Sequence, residues 1–393
     1  MPATPSETAP LVLALRGGFL KTDPALERRL DAITGDGILR ADLLPVASEA
    51  MARIEAARAE GRRVYLAESD PIAAELAAHH GLDGTAPGPG EKIRQNWSAR
   101  GLLRAMRPHQ WVKNILLLLP LLAAHRFEWA ALLQVALGMV AFSAAASSIY
   151  MVNDLLDLEA DRLHPKKCKR PFASGAVPLR VGIAAFFVLA AIALGVGAAL
   201  GGLFVAITLG YVALSLVYSF RLKRARWVDI GTLASLYTVR VVAGAAAVSV
   251  DTSLYMIVFV FPVFITLGAV KRLTELTLAT SDERLPGRGY GRPDRGALLN
   301  LSMLGMAASL LIFFLYTISP QAIALYPARW WLWVAMIPLA GWLFRMVRLG
   351  FYGKQDYDPI VFAMRDKRGI GLIMITLALM FYAAGLWGKW LGL

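Results

Sequence analysis

Cysteine is nearly missing from this chain and histidine is scarce, with one Cys and five His among 393 residues. A lone Cys168 excludes an intrachain disulfide, and so small a supply of thiol and imidazole offers no Cys/His metal-ligand set. The start, MPATPSETAP, lacks the charged n-region of a secretory signal, and the apolar LVLAL after it is short, so insertion is expected to rely on later segments. Acidic residues are outnumbered, 28 against 41 basic, for a net charge of +13. A basic soluble fold would suggest nucleic acid. With 57% hydrophobic residues and a mean hydropathy of +0.54, however, there is no such fold to carry a basic face. The chain is instead expected to be a membrane protein that keeps Lys and Arg in cytoplasmic loops and has no nucleic-acid partner.

The apolar excess is not uniform. Residues 1–96 hold 11 basic and 14 acidic side chains, whereas 97–393 hold 30 and 14. Within the first block Leu11 to Leu15 reads as a short buried strand, Leu43 to Gly61 as an amphipathic helix, RRVYLAES as a second strand and Ile72 to His80 as another helix. That alternation predicts a small soluble α/β domain with a parallel sheet, closed by the Pro/Gly linker Thr85 to Lys92.

From Leu102 onward the pattern changes to nine apolar runs, about 112–125, 127–151, 181–200, 203–219, 228–249, 254–270, 298–318, 330–349 and 370–390. They predict an all-α membrane protein, a nine-helix transmembrane bundle behind the small leading domain. With the N-terminus inside, the loops RLHPKKCKR, RLKRAR, KRLTEL with DERLPGRGYGRPDR, and RMVRLGFYGKQDYDPIVFAMRDKRG fall on one side. The other side holds little beyond Arg126, Asp251, Arg329 and Lys389. Such asymmetry places the polar motifs on the cytoplasmic face of a cell (inner) membrane.

The densest chemistry lies in YMVNDLLDLEADRLHPKKCKRPFASGAVP, Tyr150 to Pro178. Asn153, Asp157 and Asp161 fall at i, i+4 and i+8, with Asp154 three before Asp157, so a continuing helix would carry an amide and three carboxylates on one face. Oxygen donors of this kind suit Mg²⁺ bridging to phosphate, and Lys166, Lys167, Lys169 and Arg170 would hold other phosphate oxygens. Polar side chains beside a membrane span are expensive unless used. Elsewhere each residue has a plainer alternative. Lys113 in RPHQWVKN is an interfacial anchor or a phosphate ligand, and Tyr218 and Lys223 lie at a helix end, where Lys223, Arg224 and Arg226 are positive-inside residues or ligands. Arg240, a third to halfway into an apolar run, must face the bundle interior or a water-filled cavity. Lys271 and Glu275 are i, i+4 neighbours that either pair or, with Arg272, line a site facing the helix of Asp154. DYDPIVFAMRDKRG, with Asp358, is an ordinary loop or a further contributor.

NDLLDLEADRLHPKKCKRPFASG resembles the first aspartate-rich motif of the UbiA superfamily of intramembrane prenyltransferases, NDxxDxxxD followed by a basic stretch and RPxxSG. The resemblance implies that Asn153, Asp154, Asp157 and Asp161 hold Mg²⁺ on a diphosphate, with the three aspartates catalytic and Lys167 and Arg170 beside them. The family's second acidic motif is absent, because KRLTEL puts Lys271 and Arg272 there with only Glu275, Asp282 and Glu283 as acids. In that respect the chain resembles the decaprenyl-phosphate phosphoribosyltransferase branch. This implies transfer from 5-phosphoribosyl-1-diphosphate to a polyprenyl phosphate in the bilayer. Donor phosphates would lie on Lys167, Arg170, Tyr218 and Lys223, and the acceptor phosphate on Lys113, Arg240, Lys271 or Arg272. An aromatic prenyltransferase, an inactive lipid-binding scaffold and a transporter are the alternatives, and a homo-oligomer is left open. The leading block resembles a haloacid-dehalogenase-type phosphatase with Ala14 and Arg16 in place of its two aspartates. That implies a degenerate domain unable to form an aspartyl-phosphate, serving as a docking or stabilising cap. An unrelated α/β domain is the alternative.

Overall fold

The computed structural model describes residues 9–33, 37–94, 96–250, 253–279, 284, 289–355 and 358–392. Asp251, Asp282, Glu283 and Asp356 of the expected loops lie outside them. The chain forms two compact units, Met1–Pro108 with Ser147–Ala191, and His109–Ala146 with Ile192–Leu393.

The first unit opens with β1 (Leu11–Leu13), α1 (Pro24–Asp31), α2 (Ser48–Ala59), β2 (Val64–Ala67), α3 (Ile72–His79) and β3 (Thr85–Ala86). The strands make a parallel sheet in the order β1-β2-β3, with Leu11 opposite Val64 and Leu66 opposite Thr85. The alternating α/β pattern is thus present, and its third strand comes from the segment expected as linker, just before the Pro/Gly run. Leu13, Phe19, Leu20, Leu66 and Leu76 are fully buried at its core. Helix α1 was not expected. It starts where Asp23 accepts from the Leu26 amide with Pro24 next in line, the arrangement that satisfies a first-turn donor and presets φ. A short α4 (Ala99–Ala105), capped by Ser98, follows.

The membrane part continues with α5 (Leu119–Ala123), α6 (Trp129–Leu156), α7 (Leu158–Leu163), α8 (Leu179–Leu200), α9 (Gly202–Phe220), α10 (Val228–Ala247), α11 (Leu254–Thr277), α12 (Arg295–Thr317), α13 (Pro320–Leu325), α14 (Trp330–Phe351), α15 (Pro359–Ala363), α16 (Lys367–Ala383) and α17 (Leu386–Leu391). Among the described residues seven helices, α6, α8 to α12 and α14, are long and apolar enough to cross a membrane. The first and last of the nine runs fold otherwise. Run 112–125 becomes a 3₁₀ segment, Pro108–Leu118, followed by α5, which begins around Pro120. Run 370–390 is interrupted by Gly385 at φ +69°, a left-handed break that glycine takes without penalty.

In the second unit α11 packs against α10, α12 and α14, and α14 against α16. Small residues set these approaches. A Cβ on Gly305 would stand 2.5 Å from the Thr266 hydroxyl and 3.0 Å from the Pro262 carbonyl, so α11 and α12 meet almost backbone to backbone there. We expect Gly305→Leu to destabilise the bundle by about 1–3 kcal/mol through overpacking, seen as earlier thermal loss of monodisperse protein in detergent.

Candidate functional site

The aspartate-rich stretch is built in the first unit. Helix α6 stops at Leu156, Asp157 adopts φ −101°, ψ 21°, and α7 resumes at Leu158. The continuous helix expected here is therefore broken, and the acids do not share one environment. Asp154 and Asp161 are buried at 2% and 1% exposure, Asn153 is half-buried and Asp157 is exposed. Across this break a single cation reaches both buried acids. Arg170 does so: its Nη1 donates to Asp154 Oδ1 at 3.0 Å and to Asp161 Oδ2 at 2.7 Å. Arg107 also donates to Asp154 Oδ1 and stacks over the Tyr150 ring at 5.0 Å. Sequence reasoning passed over Arg107. Its φ of +55° is strained for a non-glycine residue, and such strain persists where surrounding contacts over-determine it. Lys167 lies in an exposed 3₁₀ turn, Lys167–Lys169.

These donors fit a hard cation. They are all oxygens, and the point between Asp154 and Asp161 already holds a positive group, the Arg170 guanidinium. Among the described residues no three His, Cys, Asp or Glu side chains gather into a closed metal cage. Mg²⁺ commonly takes one or two protein carboxylates and completes its shell with water and substrate phosphate, so an open pair suffices.

The second unit holds two polar clusters. In the first, Lys113 Nζ lies 2.9 Å and Lys271 Nζ 3.4 Å from the same Asp358 Oδ2, while Tyr237 Oη donates to both carboxylate oxygens at 2.8 Å. Asp358 also caps α15, accepting from the Ile360 amide with Pro359 behind it, so a helix start fixes the carboxylate in place. Burial would push its carboxyl up, but Lys113 and Lys271 outweigh that and hold it well below the usual carboxylate range. Two ammonium groups on one carboxylate leave a positive excess suited to an anion. Nearby, Arg240 is 4% exposed. It donates Nε to Asn114 Oδ1 at 3.1 Å, Nη2 to Tyr211 Oη at 2.8 Å and Nη1 to the Leu236 carbonyl. The interior position expected of it is observed.

In the second cluster Arg272 is wholly buried. Nε and Nη2 clasp Asp229 at 2.5 and 2.9 Å, Nη1 holds both Glu275 oxygens at 2.7 and 2.6 Å, and Nη2 reaches Tyr218 Oη at 3.2 Å. Glu275 thus pairs with Arg272 rather than with Lys271, whose partner is Asp358. Lys223 is half-buried in the 3₁₀ turn Leu222–Arg224. Asp229 and Asp358 are the carboxylates the site residues turn on, and the Asp-Pro pair at 358 was the available sign of a helix start.

Comparison with known proteins shows the family. The UbiA prenyltransferase family matches residues 115–365. Protein y4nM of Sinorhizobium fredii is 35% identical over 269 residues, 67% of this chain and 52% of that one, so the chain spans about half its length. Nodulation protein NoeC of Azorhizobium caulinodans is 34% identical over 283 residues, covering 70% of this chain and 91% of NoeC. Decaprenyl-phosphate phosphoribosyltransferase of Mycobacterium tuberculosis is 32% identical over 282 residues, 68% of this chain and 88% of that enzyme. A UbiA homologue from Archaeoglobus fulgidus, solved with GPP and Mg²⁺, superposes with a TM-score of 0.51 at 15% identity, over 72% of this chain and 99% of its own, and shows the shared fold. The chain belongs to the UbiA prenyltransferase family. It is a multi-pass membrane transferase with a small α/β domain in front.

Proposed function

We propose that this chain transfers the 5-phosphoribosyl group of phosphoribosyl diphosphate to a polyprenyl phosphate, with Mg²⁺, on the cytoplasmic face of the cell membrane. One observation supports the reading: Lys271 at the end of α11 and Lys113 of the 3₁₀ segment share a single Asp358, the neighbouring Arg272 is fully spent on protein acceptors, and among the described residues no group of three potential metal ligands gathers there. Cations in that place suit substrates bearing more phosphate and less metal. The relatives named decaprenyl-phosphate phosphoribosyltransferase point the same way.

In this reading an oxygen of the lipid phosphate forms a bond to the ribose anomeric carbon as the bond to pyrophosphate breaks, and pyrophosphate leaves with the electron pair. A phosphate monoester is largely dianionic near neutral pH, so no general base is required. Asn153, Asp154, Asp157 and Asp161 would hold the metal, which supplies charge neutralisation for the diphosphate. Arg170 and Lys167 bind donor phosphate oxygens, with Tyr218 and Lys223 as further candidates, and Lys113 and Lys271 bind the acceptor phosphate. Arg240 and Arg272 serve as positioning groups, because their donors are directed to protein acceptors. The leading domain is read as a degenerate phosphatase-like fold, since Arg16 stands at its former nucleophile loop and bridges to Asp23 at 3.2 Å.

Labelled phosphoribosyl diphosphate and polyprenyl phosphate, supplied to the purified chain in lipid, should yield a ribosylated lipid. A prenylated aromatic from prenyl diphosphate, with no ribosylated lipid, would show the other transferase chemistry. Lys271→Met should raise KM for polyprenyl phosphate about tenfold to a hundredfold, the worth of one charge-assisted hydrogen bond, with a smaller change for the donor.

A further inference from the structure

The leading domain touches the aspartate-rich loop directly, within a single compact unit. Glu27 of α1, 4% exposed, forms a buried ion pair with Arg162 of α7, 7% exposed. Both terminal nitrogens of the Arg162 guanidinium, Nη1 and Nη2, reach the Glu27 carboxylate, and Thr22 Oγ1 donates to the same carboxylate at 2.7 Å. The third guanidinium nitrogen of Arg162, Nε, donates to the Ala173 carbonyl at 3.0 Å, inside the RPFASG stretch. Arg162 therefore ties together α1, the helix of Asp161 and the segment after Arg170. Arg180 at the start of α8 adds a second link, to Asp23 at 3.1 Å.

The closing residue of that stretch is fitted to the same surface. Gly175 has φ +69°, and a Cβ there would lie 2.5 Å from the Lys21 Cβ and 3.2 Å from the Pro45 ring. Apolar side chains complete the seam: Ile38, Leu39, Leu43 and Leu44 line one cavity with Leu155 and Leu158. Asp161 and Arg162 are consecutive on α7. One reaches Arg170 and the other reaches the leading domain, so the orientation of α7 is shared between them.

We propose that the leading domain is a clamp on the Asp161 to Gly175 loop, and that Glu27 is a positioning residue acting through Arg162. This rests on the reading of that loop as the metal and donor-phosphate site. Breaking the helix at Asp157 leaves α7 without a continuous helical support, and the contacts of the leading domain take its place. A buried charge pair also resists partial opening, because separating it strands a charge in a dry place.

The chain's single cysteine offers a readout independent of turnover. Cys168 sits within the clamped loop, half-buried, its thiol 3.4 Å from the Pro165 carbonyl. In the full-length chain in lipid, Glu27→Gln is expected to raise the rate of maleimide labelling at Cys168 about tenfold, the effect of releasing a held segment, and to raise the Mg²⁺ concentration for half-maximal turnover. Arg180→Ala, at an exposed position, should raise labelling to a smaller extent. Arg53→Ala, which breaks the exposed Arg53–Glu91 pair of the same domain, should leave it unchanged. Wild-type labelling in Arg180→Ala and in folded Glu27→Gln protein overturns the clamp, even if ribosyl transfer is intact. Faster labelling in a chain whose wild type makes no ribosylated lipid supports the clamp and overturns only the ribosyl reading. Should Glu27→Gln fail to fold, Arg180→Ala decides alone.

Discussion

Asp154→Asn is expected to lower kcat by about two to three orders of magnitude, the usual loss when a preorganised charge at a developing anion is removed, and to weaken the dependence on Mg²⁺. The reason is the number of groups that this carboxylate organises. At 2% exposure it accepts from Arg107 and Arg170 at once, and Arg170 links it to Asp161. An amide keeps the shape but leaves the two guanidinium groups with one fewer negative charge, and it is a poorer ligand for a hard cation. Arg107→Met isolates the geometric share of the effect, since both carboxylates remain, and should cost less. Turnover assays with Mg²⁺ titration separate the two. Wild-type rate and metal dependence in Asp154→Asn would remove the diphosphate assignment from this stretch.

The helices and the acidic stretch were legible because their physics is local. Long apolar runs point to membrane spans, and seven of the nine are matched by α6, α8 to α12 and α14, while the first and last are broken by a 3₁₀ segment and by Gly385. The parallel sheet likewise followed from short apolar strands alternating with helices. What was not legible depends on contacts between distant positions. Asp358 looked like one acid in a charged loop until Tyr237, 121 positions earlier, and two lysines were found on it. Arg107 looked like one cation among several, and neither its backbone strain nor its bond to Asp154 has a sequence signature. The three aspartates appeared equivalent at helical spacing, yet a break at Asp157 exposes one and buries two. Helix geometry also separates neighbours. Lys271 and Arg272 project about 100° apart, so one meets Asp358 while the other is locked against Asp229.

That separation makes Arg272 the site of the largest expected stability effect. A guanidinium has five N–H donors, and those of Arg272 go to Asp229, Glu275 and Tyr218, with Arg272 and Asp229 both at 0% exposure. Arg272→Met leaves the Asp229 carboxylate buried without its cation, and breaking such a pair costs about 3–5 kcal/mol. The expected result is poor recovery of folded protein and a much lowered midpoint of thermal aggregation in detergent. Changing Asp229 to Leu in the same chain removes the stranded charge, and replacement of both partners by apolar groups is often tolerated. Much of the lost stability should therefore return. Kinetics on that double variant then decide what Arg272 does. A positioning group leaves KM for polyprenyl phosphate near the wild-type value once folding is restored, whereas a phosphate ligand leaves it raised at least as far as Lys271→Met does. With all five donors turned to protein acceptors, the first outcome is expected, and the anion is left to Lys113 and Lys271.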